Sequence, residues 1–234
     1  MGGKIDGYFD CTSIYSYFAF VYLQRQRELL KQYGVEVEFH PVFLGGINVG
    51  SGNKPPWTLP AKAQMSKYDV ARGIEYFQIP PSSTPPFFPM LSILPLRALL
   101  VIKARHDKAT FERCFQGVFE YSWNDGKLLD ISKPENLAVA LRNTLGGDDK
   151  EVEEVVRLAA TSQEVKDQLK ANTDKALAQG AFGAPWFWLR NAETGKEEPL
   201  WGSDRWAYMW RFLGVEFDDL KIRDKSEGES KAKL

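Results

Sequence analysis

Near the start of the chain, two short stretches place apolar side chains as strands do, and the stretch between them reads as a helix. Residues 4–10 (KIDGYFD) carry their apolar side chains at Ile5, Tyr8 and Phe9, which predicts a short strand. Residues 14–33 run from an aromatic, apolar start to a charged end. Gly34 then stands where a helix commonly stops. Residues 35–43 (VEVEFHPVF) alternate again and predict a second strand. Strand, helix and strand in quick succession form a βαβ unit, which requires a right-handed crossover to a parallel partner.

The texture then changes. Residues 45–60 (GGINVGSGNKPPWTLP) are rich in Gly and Pro and read as a loop. Helical patterns fill 61–77, 91–105, 107–123, 134–145, 148–160 and 161–179, with a Pro-rich break at 79–89. Thr161 ahead of Glu164 reads as a capping box, and Pro134 suits the first turn after Ser132 or Lys133. Asp148 and Asp149 suit the positive end of a helix dipole. Residues 186–190 and 197–201 flank the turn NAETGK and predict an antiparallel hairpin. Ser203 is expected to cap a last helix, 204–213, closed by Gly214. The charged tail from Asp218 is expected to be mobile.

With its inner helices lifted out, the order βαβ…ββα is that of a thioredoxin-like fold. The expected class is therefore α/β, a thioredoxin-like fold with an inserted all-helical domain. Its first half spans 1–60, the insert 61–178, the second half 179–218 and the tail 219–234.

Composition narrows the function classes. A chain of 234 residues, 44% hydrophobic and 26% charged, suits a soluble globular fold with a sizeable core. Thirty basic against 31 acidic residues leave a net charge of −1, which favours neither nucleic acid nor an anionic membrane as a partner. No apolar window approaches the roughly 18 residues of a membrane span. Residues 1–10 have neither the apolar run of a secretory signal nor the Arg-rich character of a transit peptide. Cys11 and Cys114 stand far apart, give no metal spacing and no disulfide framework, and read as buried small hydrophobes. No metal is expected.

Four places carry candidate chemistry. The first is Asp10–Ser16 (DCTSIYS), at the strand-to-helix junction, where free N–H groups at a helix N-terminus stabilise an anion or thiolate. Thioredoxin-type redox enzymes place CxxC here. Ser13-Ile14-Tyr15-Ser16 puts two hydroxyls at those positions, so disulfide exchange through this corner is excluded. Ser13 suits a donor to a substrate thiolate, and equally a plain N-cap. The second is Gly183-Ala184-Pro185, where a cis-proline would present the Ala184 backbone to an extended peptide, unless it is an ordinary trans proline opening a strand. The third is Gly202-Ser203-Asp204-Arg205, which suits a carboxylate and an ammonium group together, or a standard cap. The fourth is Ser51–Pro56, where Asn53 offers both donor and acceptor, or a solvent loop.

Over most of its length the chain resembles the kappa class of glutathione transferases, whose superfamily includes 2-hydroxychromene-2-carboxylate isomerases. FDCTSIYSY at 9–17, SGNKPPWTLPAK at 51–62, VKDQLKANTDKALAQGAFGAP at 165–185 and GSDR at 202–205 carry the likeness. The resemblance implies that Ser13 hydrogen-bonds the glutathione sulfur and that Ile14 and Tyr15 line the same pocket. It implies that Asn53 and Pro60 bind glutathione, that Ala184 pairs with its cysteine backbone, and that Pro185 is cis. Ser203 and Asp204 would then hold the γ-glutamyl group. One departure stands out: the family usually has Ser-Pro-Tyr-Ser, and here Ile14 takes the proline's place.

The implied activity is conjugation of glutathione thiolate to a small hydrophobic electrophile, with peroxide reduction a further activity. Tyr15, Trp57 and Phe88 are candidates to line the apolar second site, or ordinary core aromatics. A glutathione-dependent isomerase and a non-catalytic glutathione- or peptide-binding module are the alternatives. The resemblance also implies a homodimer. The C-terminal Ala232-Lys233-Leu234 resembles a peroxisomal import signal, so a peroxisomal address and an import receptor as partner are expected, with cytoplasm or mitochondrion as alternatives.

Overall fold

A computed structural model describes residues 2–146 and 148–218. Four strands form one mixed sheet in the order β2-β1-β3-β4. Strands β1 (Gly3–Phe9) and β2 (Val35–Pro41) pair in parallel, joined by helix α1 (Ile14–Gln32). Strands β3 (Trp186–Asn191) and β4 (Glu197–Trp201) form the antiparallel hairpin, and β3 returns antiparallel to β1 with Tyr8 opposite Trp186. That register sets the C-terminal end of β1 beside the N-terminal end of β3, and the candidate site lies at this junction.

Between β2 and β3 run α2 (Leu44–Ser51), α3 (Pro60–Phe77), α4 (Ile93–Arg105), α5 (Lys108–Trp123), α6 (Pro134–Leu145), α7 (Asp149–Thr161) and α8 (Gln163–Ala178). Helix α9 (Trp206–Leu213) follows the hairpin and ends at Gly214 with φ +68°. The inserted helices share one core with the sheet. Phe9 and Phe39 from the strands, Phe20 from α1, and Phe115 and Phe119 from α5 are all fully buried and meet ring on ring at centroid distances of 4.7–6.3 Å.

Strand β2 lies at an edge of the sheet, and three side-chain cations occupy its carbonyls. Lys103 and Lys108 each donate at 2.6 Å, to Phe39 and Val37, and Arg27 donates to Val37 at 3.3 Å. Carbonyls filled in this way are closed to another strand.

Three sequence expectations are corrected. Residues 45–60 are not all loop: α2 covers Leu44–Ser51, and Pro56–Thr58 make one turn of 3-10 helix. Its glycines reflect close packing. A Cβ at Gly50 would lie 2.6 Å from the Leu177 side chain of α8, which would have to shift to admit it. Thr161 does not cap α8. It ends α7, its hydroxyl turned back to the Arg157 carbonyl, while the Ser162 hydroxyl accepts from Val165 N–H at 3.4 Å. Ser203 does not cap α9, which begins later, at Trp206, after Arg205. Lys133 is the residue that precedes Pro134 as N-cap of α6. Residues 219–234, with the C-terminal Ala-Lys-Leu, lie outside the described residues.

Phe115 sits at the centre of the aromatic cluster. Replacing it by Ala is expected to cost about 3–5 kcal/mol, read as a lower urea midpoint with an unchanged slope.

Candidate active site

Ser13 is the N-cap of α1, with extended backbone (φ −99°, ψ 113°). Its hydroxyl oxygen accepts from Ser16 N–H at 3.2 Å, and its O–H donates to the Ala184 carbonyl at 3.1 Å. The N-cap reading of Ser13 therefore holds: its oxygen caps the helix, and its proton is taken by the Ala184 carbonyl. Among the described residues, Ile14 and Tyr15 N–H have no protein partner. Two donors and the positive end of a helix dipole thus surround the Ser13 hydroxyl. Ser16 is fully buried, and its hydroxyl has no partner among the described residues.

Across the groove, the Ala184–Pro185 bond is cis, and so is Phe88–Pro89. The Ala184 carbonyl is taken by Ser13, while Ala184 N–H has no protein partner among the described residues. Gly202 N–H donates to the Pro185 carbonyl at 3.2 Å, which brings residues 202–204 beside the proline. Ser203 is buried and Asp204 exposed. The Tyr15 hydroxyl titrates above its usual range, first because of burial and then because Asp69 and Asp204 add negative charge nearby.

Asn53 reaches the same groove from the other side. Its amide N–H donates to the Phe182 carbonyl at 2.6 Å, and its amide oxygen accepts from Lys54 N–H at 2.9 Å. The loop after α2 is thereby clasped to the segment leading into Ala184. Pro60 opens α3 and is exposed, with no bond to the other candidates. Ser13 thus meets Ala184 directly beside Pro185, Asn53 is tied in through Phe182 and residues 202–204 through Gly202, with Ile14 and Tyr15 on the adjoining turn. Pro60 is not tied to them.

Aromatic rings flank the groove. Trp57 meets Phe88 edge-on at 4.8 Å, and Phe88 continues to Trp123 at 5.7 Å. On the opposite side Phe182 packs on Trp201 at 5.0 Å. Trp201 comes so close to Gly183 that a Cβ there would lie 2.8 Å from its indole nitrogen, which gives the glycine of the GAFGAP stretch a packing reason. A separate polar cavity of about 470 Å³ lies among Gln24, Glu112, Gln116 and Glu120, away from these residues.

Sequence reasoning missed Phe182, Trp201 and, above all, Asp10. The position of Asp10 just ahead of the helix start was a signal, but its partners come from distant segments. Both cysteines are buried and free. The Cys11 thiol is pushed well above its usual range, first by burial and then by the neighbouring Asp10.

The whole fold matches the model of the DSBA-like thioredoxin domain over residues 4–213. "Glutathione S-transferase kappa 1" of Caenorhabditis elegans is 30% identical over 213 residues, 86% of this chain and 87% of that protein. The chain belongs to the DSBA-like thioredoxin domain family and, within it, to the kappa-class glutathione transferases. A 2-hydroxychromene-2-carboxylate isomerase of Pseudomonas putida is 25% identical over 90% of this chain and 94% of that protein. A solved 2-hydroxychromene-2-carboxylate isomerase structure superposes with a TM-score of 0.71 at 22% identity, covering 90% of this chain and 94% of that one.

Neither cysteine is placed to take part in thiol chemistry. Both are expected to resist a thiol-alkylating reagent at neutral pH in the folded protein and to react fully in denaturant, with mass spectrometry counting the adducts.

Proposed function

We propose that the protein conjugates the thiolate of glutathione to small apolar electrophiles, with Ser13 as hydrogen-bond donor to the sulfur. The observation that carries this reading is the Ser13 hydroxyl at the open end of α1, aimed at the Ala184 carbonyl with two unpaired N–H groups beside it. An extended tripeptide running along residue 184 would pair with the free Ala184 N–H and offer its own N–H to the Ala184 carbonyl. The Ser13 hydroxyl is then released to rotate and donate to the sulfur, while its oxygen still accepts from Ser16 N–H. The γ-glutamyl end falls toward Ser203 and Asp204.

A free thiol has a pKa of about 8.5, so only a few per cent is thiolate at neutral pH. A helix N-terminus with one hydroxyl donor lowers that by about one to two units. The sulfur then forms a bond to an electrophilic carbon. In substitution a halide departs with the electron pair; in addition the resulting carbanion takes a proton from water. Tyr15, Trp57 and Phe88 form the apolar wall for the second substrate.

The similarity to the isomerase of Pseudomonas putida supports a second reading, in which glutathione adds to a double bond and is then eliminated unchanged. The two readings share site residues and differ in whether glutathione is consumed. Peroxide reduction at the expense of glutathione is a third activity for the same screen. We also propose a homodimer and a peroxisomal address read from the terminal Ala-Lys-Leu. Masking the C-terminus is expected to abolish peroxisomal import in cells; an unchanged location removes the address.

For Ser13→Ala, turnover with an aryl halide at neutral pH is expected to fall about 10- to 100-fold, the range of a hydrogen bond to a charged group. The apparent pKa of bound glutathione, followed by the ultraviolet band of the thiolate, should rise toward the free value while binding is kept. Unchanged turnover and pKa would remove Ser13 from the mechanism.

A further inference from the structure

Asp10 is fully buried where the sheet, two helix starts and the inserted helices meet. One carboxylate oxygen accepts from Thr12 N–H at 2.9 Å. The other accepts from Leu44 N–H at 2.7 Å and from the Ser92 hydroxyl at 3.0 Å. Thr12 immediately precedes Ser13, Leu44 opens α2, and Ser92 immediately precedes α4. The Asp10 main-chain carbonyl accepts from Ser13 N–H at 3.0 Å. One residue thus joins the Ser13 corner, the helix that leads to the Asn53 loop, and the inserted helices. Two further bonds reinforce the same seam: the Thr12 hydroxyl donates to the Met90 carbonyl at 3.1 Å, and the Trp123 indole N–H donates to the Cys11 carbonyl at 2.8 Å.

No cation pairs with this carboxylate among the described residues. The other titratable group against it is the Cys11 thiol, and Thr12, Leu44 and Ser92 offer neutral donors. Burial pushes the Asp10 carboxyl up to about 6, only partly offset by those donors. The sign of the linkage follows. The folded chain holds this proton more tightly than the unfolded chain, so ionising Asp10 costs stability as pH rises from about 4 to about 6 and nothing further above that. Three donors from three separate segments converge on this one buried carboxylate, so its position fixes theirs relative to one another.

We propose that Asp10 is the positioning residue of the glutathione site, its ionised carboxylate setting the Ser13 turn, the α2–Asn53 arm and the inserted helices in the register that binds the tripeptide. Protonation removes an acceptor from a set of three donors. The corner and the arm then lose their common anchor while the fold persists. Function and stability therefore respond to Asp10 protonation in opposite directions.

This inference rests on the glutathione reading, and its test separates the two. S-methylglutathione, whose sulfur does not ionise, is titrated by calorimetry into the full-length protein, Asp10→Asn and Ser92→Ala between about pH 5 and pH 8, with melting temperatures measured in parallel. The wild type is expected to lose affinity about tenfold toward pH 5, with a midpoint near 6, the size expected for one charge-assisted hydrogen bond. Ser92→Ala removes a donor to the ionised form, so its midpoint moves to higher pH. Asp10→Asn binds weakly at every pH and shows no midpoint; its amide keeps one acceptor and sets a new donor against the Thr12, Leu44 and Ser92 donors, so it also melts lower. Wild-type affinity in Asp10→Asn at pH 8, or a retained midpoint, overturns the proposal. So does a wild-type affinity that falls toward pH 5 only in step with the melting temperature, which makes Asp10 a fold anchor only. If Asp10→Asn fails to fold, an unshifted midpoint in Ser92→Ala overturns it. If the wild type binds neither S-methylglutathione nor glutathione, the glutathione reading falls. The Thr12 and Leu44 amide resonances then decide: a shared titration near pH 6 that Ser92→Ala moves upward supports the anchor, and unmoved resonances overturn it.

Discussion

A single hydrogen bond of 3.1 Å, from the Ser13 hydroxyl to the Ala184 carbonyl, joins segments 171 positions apart in the chain. It exists because β1 and β3 pair antiparallel with Tyr8 opposite Trp186, so the turn leaving one strand faces the turn entering the other. The remaining features are arranged around this contact. Helix α1 starts at Ser13 and directs its free N–H groups there. Gly202 bonds to Pro185, and Asn53 clasps Phe182 two residues before Ala184. Aromatic rings from the 3-10 turn, the Pro-rich loop and α5 pack in a row nearby, Trp57 on Phe88 and Phe88 on Trp123.

The same contact explains how a thioredoxin-like fold serves a thiol that it does not itself own. A redox enzyme of this fold supplies sulfur from its own chain at the start of α1. Here the chain supplies a hydroxyl that caps the helix with its oxygen and donates its proton to the Ala184 carbonyl. Both cysteines are buried elsewhere in the core, and Cys11 is held further from ionisation by Asp10. In the function proposed above, the sulfur arrives on the ligand.

The strands, α1 and the Ser13 corner were legible because short-range signals agree there: alternation in 35–43, Gly34 with φ +68°, and Ser13 at a strand-to-helix junction. The helix α2 was not, because Gly45, Gly46 and Gly50 read as flexibility when their tertiary role is close approach, as Gly50 to Leu177 shows. Ser203 carried the composition of a cap, yet tertiary packing starts α9 three residues later and buries its side chain. Asp10 lay inside the first candidate stretch, but its role was not legible: Leu44 and Ser92, which give it meaning, are brought in by β2 and α4 and leave no local pattern.

The central claim is that this corner holds a ligand sulfur as an anion. A crystal structure of the protein with glutathione tests it most directly. The account predicts the sulfur within hydrogen-bonding distance of the Ser13 hydroxyl and of the first-turn N–H groups of α1, with the tripeptide backbone paired to Ala184. A sulfur pointing away from Ser13, or glutathione bound outside the groove between Ser13 and Ala184, would contradict it.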